Sequence, residues 1–415
     1  MFKRISLTMW IFIGLFAGVI FGVLFPGPAK EMGLLSTIFL RMIKSIIAPL
    51  LFGTLVYGIA ATGNVKTMGR IGGKAILYFE IVTTLALIVG LVFVNVVQPG
   101  VGVKLDAPTG TEALQKADTS FSHILEHTFP ASVIDAMAKG EVLQIVVFAF
   151  LFGTAAAAIG SKARPLIEFA ESLSEIMFRY TNYVMYLAPI GVFGAMASTV
   201  GSKGLGILQY LGKLVLTLYA AEVFFVVFVF GAVILICRIP LKRFIEATKA
   251  PWSIAFATAS SESALPLALK NMERFGVPKH IVSFVLPTGY SFNLDGTTLY
   301  LALAGVFVAQ AAGVDMPLSR QIVMMLTLML TSKGVAGVPR ASLVILAGTL
   351  ATFGLPQEGV LVILGVDTLM DMARTSVNVL GNCLASAVVA RWEGVEIPSG
   401  PMPALEDAEE AAAAV

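Results

Sequence analysis

The stretch that most limits what this chain can become is residues 367–382, DTLMDMARTSVNVLGN. Asp367, Asp371, Arg374, Thr375, Asn378 and Asn382 follow one another at intervals of four, three, one, three and four residues. At 3.6 residues per turn all six fall on one helical stripe, roughly 100° wide. Leu369, Met370, Met372, Ala373, Val377 and Val379 cover much of the remaining circumference, and the run continues through Leu384, Ala387 and Val389 to Arg391. Each charge near the middle of a membrane helix costs about 2.5 to 3.5 kcal/mol on insertion scales. That cost is sustained only where the stripe faces protein, ions or a polar ligand. An internal Asp/Arg pair that merely locks two helices together accounts for the charges but leaves the amides and the hydroxyl unexplained.

Composition agrees that the medium is a membrane. Of 415 residues, 57% are hydrophobic and 13% charged, with a mean hydropathy of +0.88, whereas a soluble domain has about 25% charged residues. The net charge of +2 and the lack of a Lys/Arg-rich block give no reason to expect a nucleic-acid partner. Cys237 and Cys383 both sit in apolar segments and read as buried free thiols. The first apolar run follows Lys3 and Arg4 and ends at Phe25-Pro26-Gly27 without an Ala-x-Ala pattern, so it reads as a retained helix.

Apolar spans recur at 8–26, 35–61, 75–98, 141–160, 176–200, 205–237, 280–313 and 358–391, which predicts eight crossings. Lys66, Arg70 and Lys74 follow the second span, Lys162 and Arg164 the fourth, and Arg238, Lys242, Arg243 and Lys249 the sixth. The opposite connections hold fewer cations for their length, which puts both termini in the cytoplasm. The 100–140 connection reads as an external loop. It carries His123 and His127 at a spacing that can chelate a metal and that a solvated loop helix also produces. The tail 395–415 reads as disordered.

Two stretches fit no crossing. In 241–276 two short apolar limbs flank Ala259-Ser260-Ser261-Glu262-Ser263, and in 318–354 two limbs flank Ser332-Lys333-Gly334-Val335-Ala336-Gly337-Val338-Pro339. Hydrocarbon forbids exposed backbone at such tips unless protein or water meets them, so both read as re-entrant hairpins, one from each side. Between them, Gly289-Tyr290-Ser291-Phe292-Asn293-Leu294-Asp295-Gly296-Thr297 breaks the seventh span. Unwound carbonyls with a carboxylate make a hard-oxygen site suited to sodium, and hairpins paired with broken helices form the inverted-repeat design of secondary transporters.

Asn293-Leu294-Asp295-Gly296-Thr297, the GVAGVP and SSES tips and Asp371...Arg374-Thr375...Asn378 together resemble the dicarboxylate/amino acid:cation symporters, the glutamate transporter family, over about residues 8–394. The motifs are nearest those of bacterial proton/sodium-glutamate symporters. The resemblance implies an all-α homotrimer in the bacterial inner membrane, each chain with eight helices and two hairpins working as an elevator. It assigns scaffold helices to 1–74 and 141–204, and transport-domain elements to 75–99 and 205–394. It also implies that Arg374 grips a substrate side-chain carboxylate, Asp371 the α-amino group, and Thr375 and Asn378 the α-carboxylate, with Thr297 beside the side chain. Asp367 would orient Arg374, while Ser260, Ser261 and Val338 would offer hairpin contacts. A guanidinium fork recognises carboxylate bidentately, which suits this role.

Sodium, as co-substrate, would by the same resemblance use Gly289, Asn293, Asn378 and Asn382 for one ion. Asn293, Asp295 and Thr83 would serve a second, and Ser291 with backbone at Ser332, Lys333 and Val335 a third. The chain departs from the three-sodium members in having Asn at 382 rather than Asp, Phe79 and Val82 in place of hydroxyls near Thr83, and Ala259 in place of a tip arginine. Arg340 and Lys333 can supply positive charge instead. Fewer ion ligands leave room for protons, with Glu222 and Glu80, inside apolar runs, as carriers; Leu301 stands where proton-coupled animal members have Glu.

The reading is therefore a glutamate/aspartate symporter driven by protons, sodium or both, not an enzyme. The alternative within the fold is a C4-dicarboxylate symporter, since SSESALP and PTGYSFNLDGT resemble those carriers as closely. Asp371 separates the two, because an acid attracts an ammonium and repels a second carboxylate. An anion channel would show no gradient-driven uptake, and an enzyme built on Ser261 and Glu262 lacks an oriented His.

Overall fold

The computed structural model describes residues 7–60, 67–103, 105, 129–139, 142–331, 341–400 and 402, and every regular element among them is helical. In chain order they are α1 (Leu7–Leu24), α2 (Pro26–Glu31), α3 (Gly33–Ala60), α4 (Thr67–Val97), α5 (Val133–Lys139), α6 (Val142–Ile159), α7 (Arg164–Met185), α8 (Ala188–Lys203) and α9 (Ile207–Phe224). A π-helical turn, Phe225–Phe230, leads into α10 (Gly231–Ile236). There follow α11 (Leu241–Thr258), α12 (Ser261–Phe275), α13 (Lys279–Phe292), α14 (Asp295–Ala311), α15 (Leu318–Thr331), α16 (Ala341–Thr352), α17 (Glu358–Leu364) and α18 (Asp367–Trp392). The second hairpin tip with Ser332, Lys333, Val335, Val338 and Arg340 lies outside the described residues, as do His123, His127 and the tail from 403.

Among the described residues, Arg70–Val97, Ile207–Ile236 and Lys279–Ala311 are long and apolar enough to cross a membrane. Val147–Met185 with Ala188–Lys203, bent by 47°, makes a fourth if counted as one span. That is fewer than the eight crossings the hydropathy runs suggest, and the physical reasons are local. The polar stripe lowers the hydropathy of α18. The apolar part of α1, Met9–Leu24, is short.

The helices fall into two compact units. The first comprises residues 1–63, 90–218 and 300–370. In it α1 lies against α8, and Gly14, Gly18 and Gly22 recur every fourth residue on the contact face. A Cβ at Gly18 would stand 2.6 Å from the Phe193 carbonyl oxygen, and one at Gly22 2.8 Å from that of Ala197. Small residues at this spacing let two backbones touch where lipid supplies no hydrophobic drive. Asn95 and Gln321 exchange amide hydrogen bonds at 2.7 and 3.1 Å, so neither side chain is left unsatisfied.

The second unit comprises residues 64–89, 219–299 and 371–415. In it α11 and α12 pack together as a helical hairpin. Ala259 turns the chain in the left-handed region (φ 49°), and the Ser260 hydroxyl accepts from the Ser263 N–H at 3.3 Å to cap α12. Asn271 Nδ2 donates to the Ala247 carbonyl at 2.8 Å, and the Arg243 guanidinium donates to the Phe275 and Arg274 carbonyls at 3.0 and 2.9 Å, which ties the limbs together below the tip. The break expected between α13 and α14 is present: Asn293 leaves helical geometry (φ −124°, ψ 80°) and Asp295 starts the next helix.

At the end of α18, Glu393 accepts from Lys74 at 2.6 Å and from Arg70 at 2.5 Å, joining the start of α4 to the last helix. The Lys74 hydrogen bond, with help from Arg70, holds the Glu393 carboxyl below the usual carboxylate range. A lowered folded-state value stabilises the fold above the unfolded-state value, and the benefit disappears as pH falls through the folded one. The melting temperature of wild-type protein in detergent should therefore exceed that of Glu393→Gln at neutral pH. The gap should close as the pH drops below about 4.5; a gap that does not change with pH would contradict the assignment.

Candidate functional site

Arg374 and Asp371 lie one turn apart on α18, and their spacing turns both side chains to the same face. Arg374 Nε and Nη2 each donate to Asp371 Oδ1 at 3.0 Å, and the Thr375 hydroxyl donates to the same oxygen at 3.1 Å. Arg374 is 1% exposed and is the largest of the fully buried side chains among the described residues; Asp371 is 6% exposed. Three of the residues expected to bind substrate, Asp371, Arg374 and Thr375, thus form one buried polar cluster. Asp367 is also buried, in the first turn of the same helix, where a carboxylate suits the helix dipole.

The broken segment is fastened to α18 by Asn378. Its Oδ1 accepts from the Gly296 and Thr297 backbone N–H groups at 2.8 and 3.2 Å, and its Nδ2 donates to Thr297 Oγ1 at 2.9 Å. A helix start leaves N–H groups without partners, and here a side chain from another helix supplies the cap for α14. An amide oxygen has two lone pairs, so direct contact between this oxygen and an ion or substrate requires one of these bonds to open. Glycine makes the approach possible. A Cβ at Gly296 would fall on the Arg374 carbonyl, and one at Gly381 on the Asp295 carboxylate and 2.9 Å from Phe230 Cζ.

Asn293 stands between the groups expected to hold sodium. Its Nδ2 donates to Asp295 Oδ2 at 3.1 Å and to Asn382 Oδ1 at 3.2 Å, and all three residues are fully buried. A Cβ at Gly289 would fall on Asn382 Oδ1, so Gly289, Asn293 and Asn382, three of the four members of the first expected ion grouping, are adjacent. Asn293 Oδ1 and Thr83 Oγ1 are buried acceptors with no hydrogen-bond partner among the described residues. Amide, hydroxyl and carboxylate oxygens are the donor set that a small hard cation prefers, and the residues present fit sodium as a transported ion. Ser291 lies in the last turn of α13, and its side chain lies outside the described residues, together with the rest of the third grouping.

Ser260 and Ser261 are half-buried at the first hairpin turn, where the Ser260 hydroxyl is engaged as a cap. Glu222 is 3% exposed on α9, whereas Glu80 on α4 is half-buried. The sequence reading missed Gly381 and the buried hydroxyls of Tyr78 and Tyr290, which have no hydrogen-bond partner among the described residues. The signal for Gly381 was present: it borders the polar stripe of α18, where a glycine admits a neighbour.

Residues 7–392 match the sodium:dicarboxylate symporter family. The chain is 46% identical to the proton/sodium-glutamate symport protein of Geobacillus stearothermophilus, covering 94% of this chain and 96% of the relative. It is 44% identical to the proton/glutamate-aspartate symporter of Escherichia coli K12, covering 86% and 84%. It is also 42% identical to a C4-dicarboxylate transport protein of Bacillus subtilis, covering 94% of each.

Asn378→Ala should destabilise the protein by about 1 to 3 kcal/mol, because two buried N–H groups of α14 lose their acceptor. Thr297→Ala, which keeps both cap bonds, should cost less. Thermal unfolding in detergent reads both, and an Asn378→Ala melting temperature equal to wild type would contradict the capping role.

Proposed function

The chain belongs to the sodium:dicarboxylate symporter family, and on that footing we propose that it is an integral membrane symporter that brings glutamate or aspartate into the cell with sodium ions, protons or both. The observation that carries this reading is the buried Arg374–Asp371 pair on the helix that also clamps the Asn293–Asp295 break.

An acidic amino acid carries one ammonium and two carboxylates. Its side-chain carboxylate takes the Arg374 fork, its ammonium takes Asp371, and Thr375 is free to turn its hydroxyl to the α-carboxylate. Each protein charge exchanges one partner for another, so neither is left bare in a medium where an unpaired charge costs several kcal/mol. Sodium held by Asn293, Asp295 and Asn382 offsets the negative charge that the substrate brings. Binding of ion and substrate are then linked through α18, on which Arg374, Asn378 and Asn382 all stand.

The wider mechanism is part of the same proposal. The chain crosses the membrane eight times with both termini in the cytoplasm, and hairpins 241–276 and 318–354 re-enter from opposite sides. Residues 1–74 and 141–204 serve as scaffold, residues 75–99 and 205–394 move as an elevator, and three copies assemble in the bacterial inner membrane. Support comes from the helical hairpin closed at Ala259 and Ser260 and from the break at Asn293. The similarity to named glutamate symporters supports it too. A C4-dicarboxylate substrate is the second reading, favoured by the similarity to C4-dicarboxylate transport proteins; it leaves Asp371 facing a second carboxylate.

Purified protein in liposomes should accumulate labelled glutamate or aspartate under imposed sodium or proton gradients, and succinate weakly. Asp371→Ser should cut amino-acid uptake on the order of 10- to 100-fold, the loss of one charge-assisted contact, and Arg374→Ala should abolish it. Wild-type vesicles that concentrate succinate and ignore both amino acids would overturn the substrate assignment.

A further inference from the structure

A cavity of about 560 Å³ lies within the second unit, bounded by α9 and its π turn, by α11 and by the middle of α18. Its walls are largely apolar, with Val226, Ile245, Trp252, Phe256, Val377 and Leu380 among them. Glu222 is the one carboxyl among the described residues that line it. The side chain is 3% exposed, and Oε1 has no hydrogen-bond partner among the described residues. The charged and titratable groups around it are Tyr219 from its own helix, Lys249 from α11, and Arg374, with its paired Asp371, from α18. Lys249 is exposed and is the one cation among the described residues that line the cavity.

Two independent features set Glu222 apart from a carboxyl buried by chance. The helix departs from α geometry three residues later, at Phe225–Phe230; such π turns are rare and concentrate at functional positions. Arg374, the residue proposed to hold the substrate's side-chain carboxylate, stands on α18 between Ala373 and Ser376, which line the same cavity as Glu222. Charges in a low-dielectric interior interact strongly, so a change of partner at Arg374 bears on a carboxyl that shares this cavity wall.

We propose that Glu222 is the coupling-proton carrier: it takes up a proton when the substrate's carboxylate occupies Arg374 and gives it back when the substrate leaves, the cavity beside Lys249 being its route to water. A neighbouring cation favours a carboxylate, and once that cation is neutralised by another anion the buried group is better protonated. The only bond made is O–H on the carboxyl, its proton drawn from water, and the reverse step returns it. This inference rests on the proposed amino-acid symport.

The test uses the full chain in liposomes carrying an internal pH dye, with labelled glutamate added outside. Wild-type vesicles should acidify as glutamate enters. Glu222→Gln should lose substrate-dependent acidification and the pH dependence of uptake, while glutamate exchange across the membrane remains measurable. Acidification per glutamate equal to wild type in Glu222→Gln would overturn the proposal, as would wild-type uptake of glutamate without acidification. Wild-type vesicles that take up no acidic amino acid refute the underlying symport reading instead. If Glu222→Gln does not fold, Glu222→Asp decides: it should keep acidification per glutamate and shift the pH midpoint of uptake, and an unchanged midpoint would overturn the proposal.

Discussion

A guanidinium that is 1% exposed cannot stand alone in a helix surrounded by apolar residues, and the arrangement of the second unit follows from providing for it. Asp371, three residues back, accepts from two of its nitrogens, and Thr375 donates to the same carboxylate oxygen. Breaking such a pair by removing one member typically costs about 3 to 5 kcal/mol, because the other charge remains buried. A ligand that carries both signs of charge can open the pair and leave both ends satisfied. Selectivity for a zwitterion with an additional carboxylate is therefore proposed to arise from the same contact that keeps α18 stable.

The broken helix solves a related problem. Ending α13 at Phe292 and starting α14 at Asp295 exposes backbone groups that hydrocarbon cannot satisfy. The remedy is again on α18: Asn378 caps the new helix, and Asn382 joins Asn293 and Asp295 in a hydrogen-bonded chain. Gly296 brings the broken segment against the Arg374 backbone, and Gly381 leaves room for the Asp295 carboxylate. The Arg374–Asp371–Thr375 cluster, the Asn378 cap and the Asn293–Asp295–Asn382 chain thus all form on or against α18 inside the second unit. Within each of these groups a change at one member alters the partners available to the next.

Much of this was legible because it is local. A stripe of six polar residues follows from helical periodicity, and the clustering of Gly, Asn and Asp around 293 announces a break without reference to any other segment. The tip at Ala259-Ser260 was equally legible, since serines flanked by apolar limbs mark a turn. The part that could not be read depends on which helix lies opposite. Asn378, expected to contact substrate and ion, also has its amide oxygen engaged by two N–H groups of α14. Nothing on its own helix announces that. Gly381 and the π turn after Glu222 are silent for the same reason. Counting crossings was limited from another direction, because hydropathy gives least weight to the helix on which the charges are concentrated.

The most direct measurement is a cryo-electron microscopy structure of the protein in lipid nanodiscs with aspartate and sodium. The account predicts the side-chain carboxylate of aspartate on the Arg374 fork, its ammonium on Asp371, and the 3.0 Å contact between those two residues opened to admit it. Aspartate bound elsewhere, with Arg374 and Asp371 still joined, would contradict it.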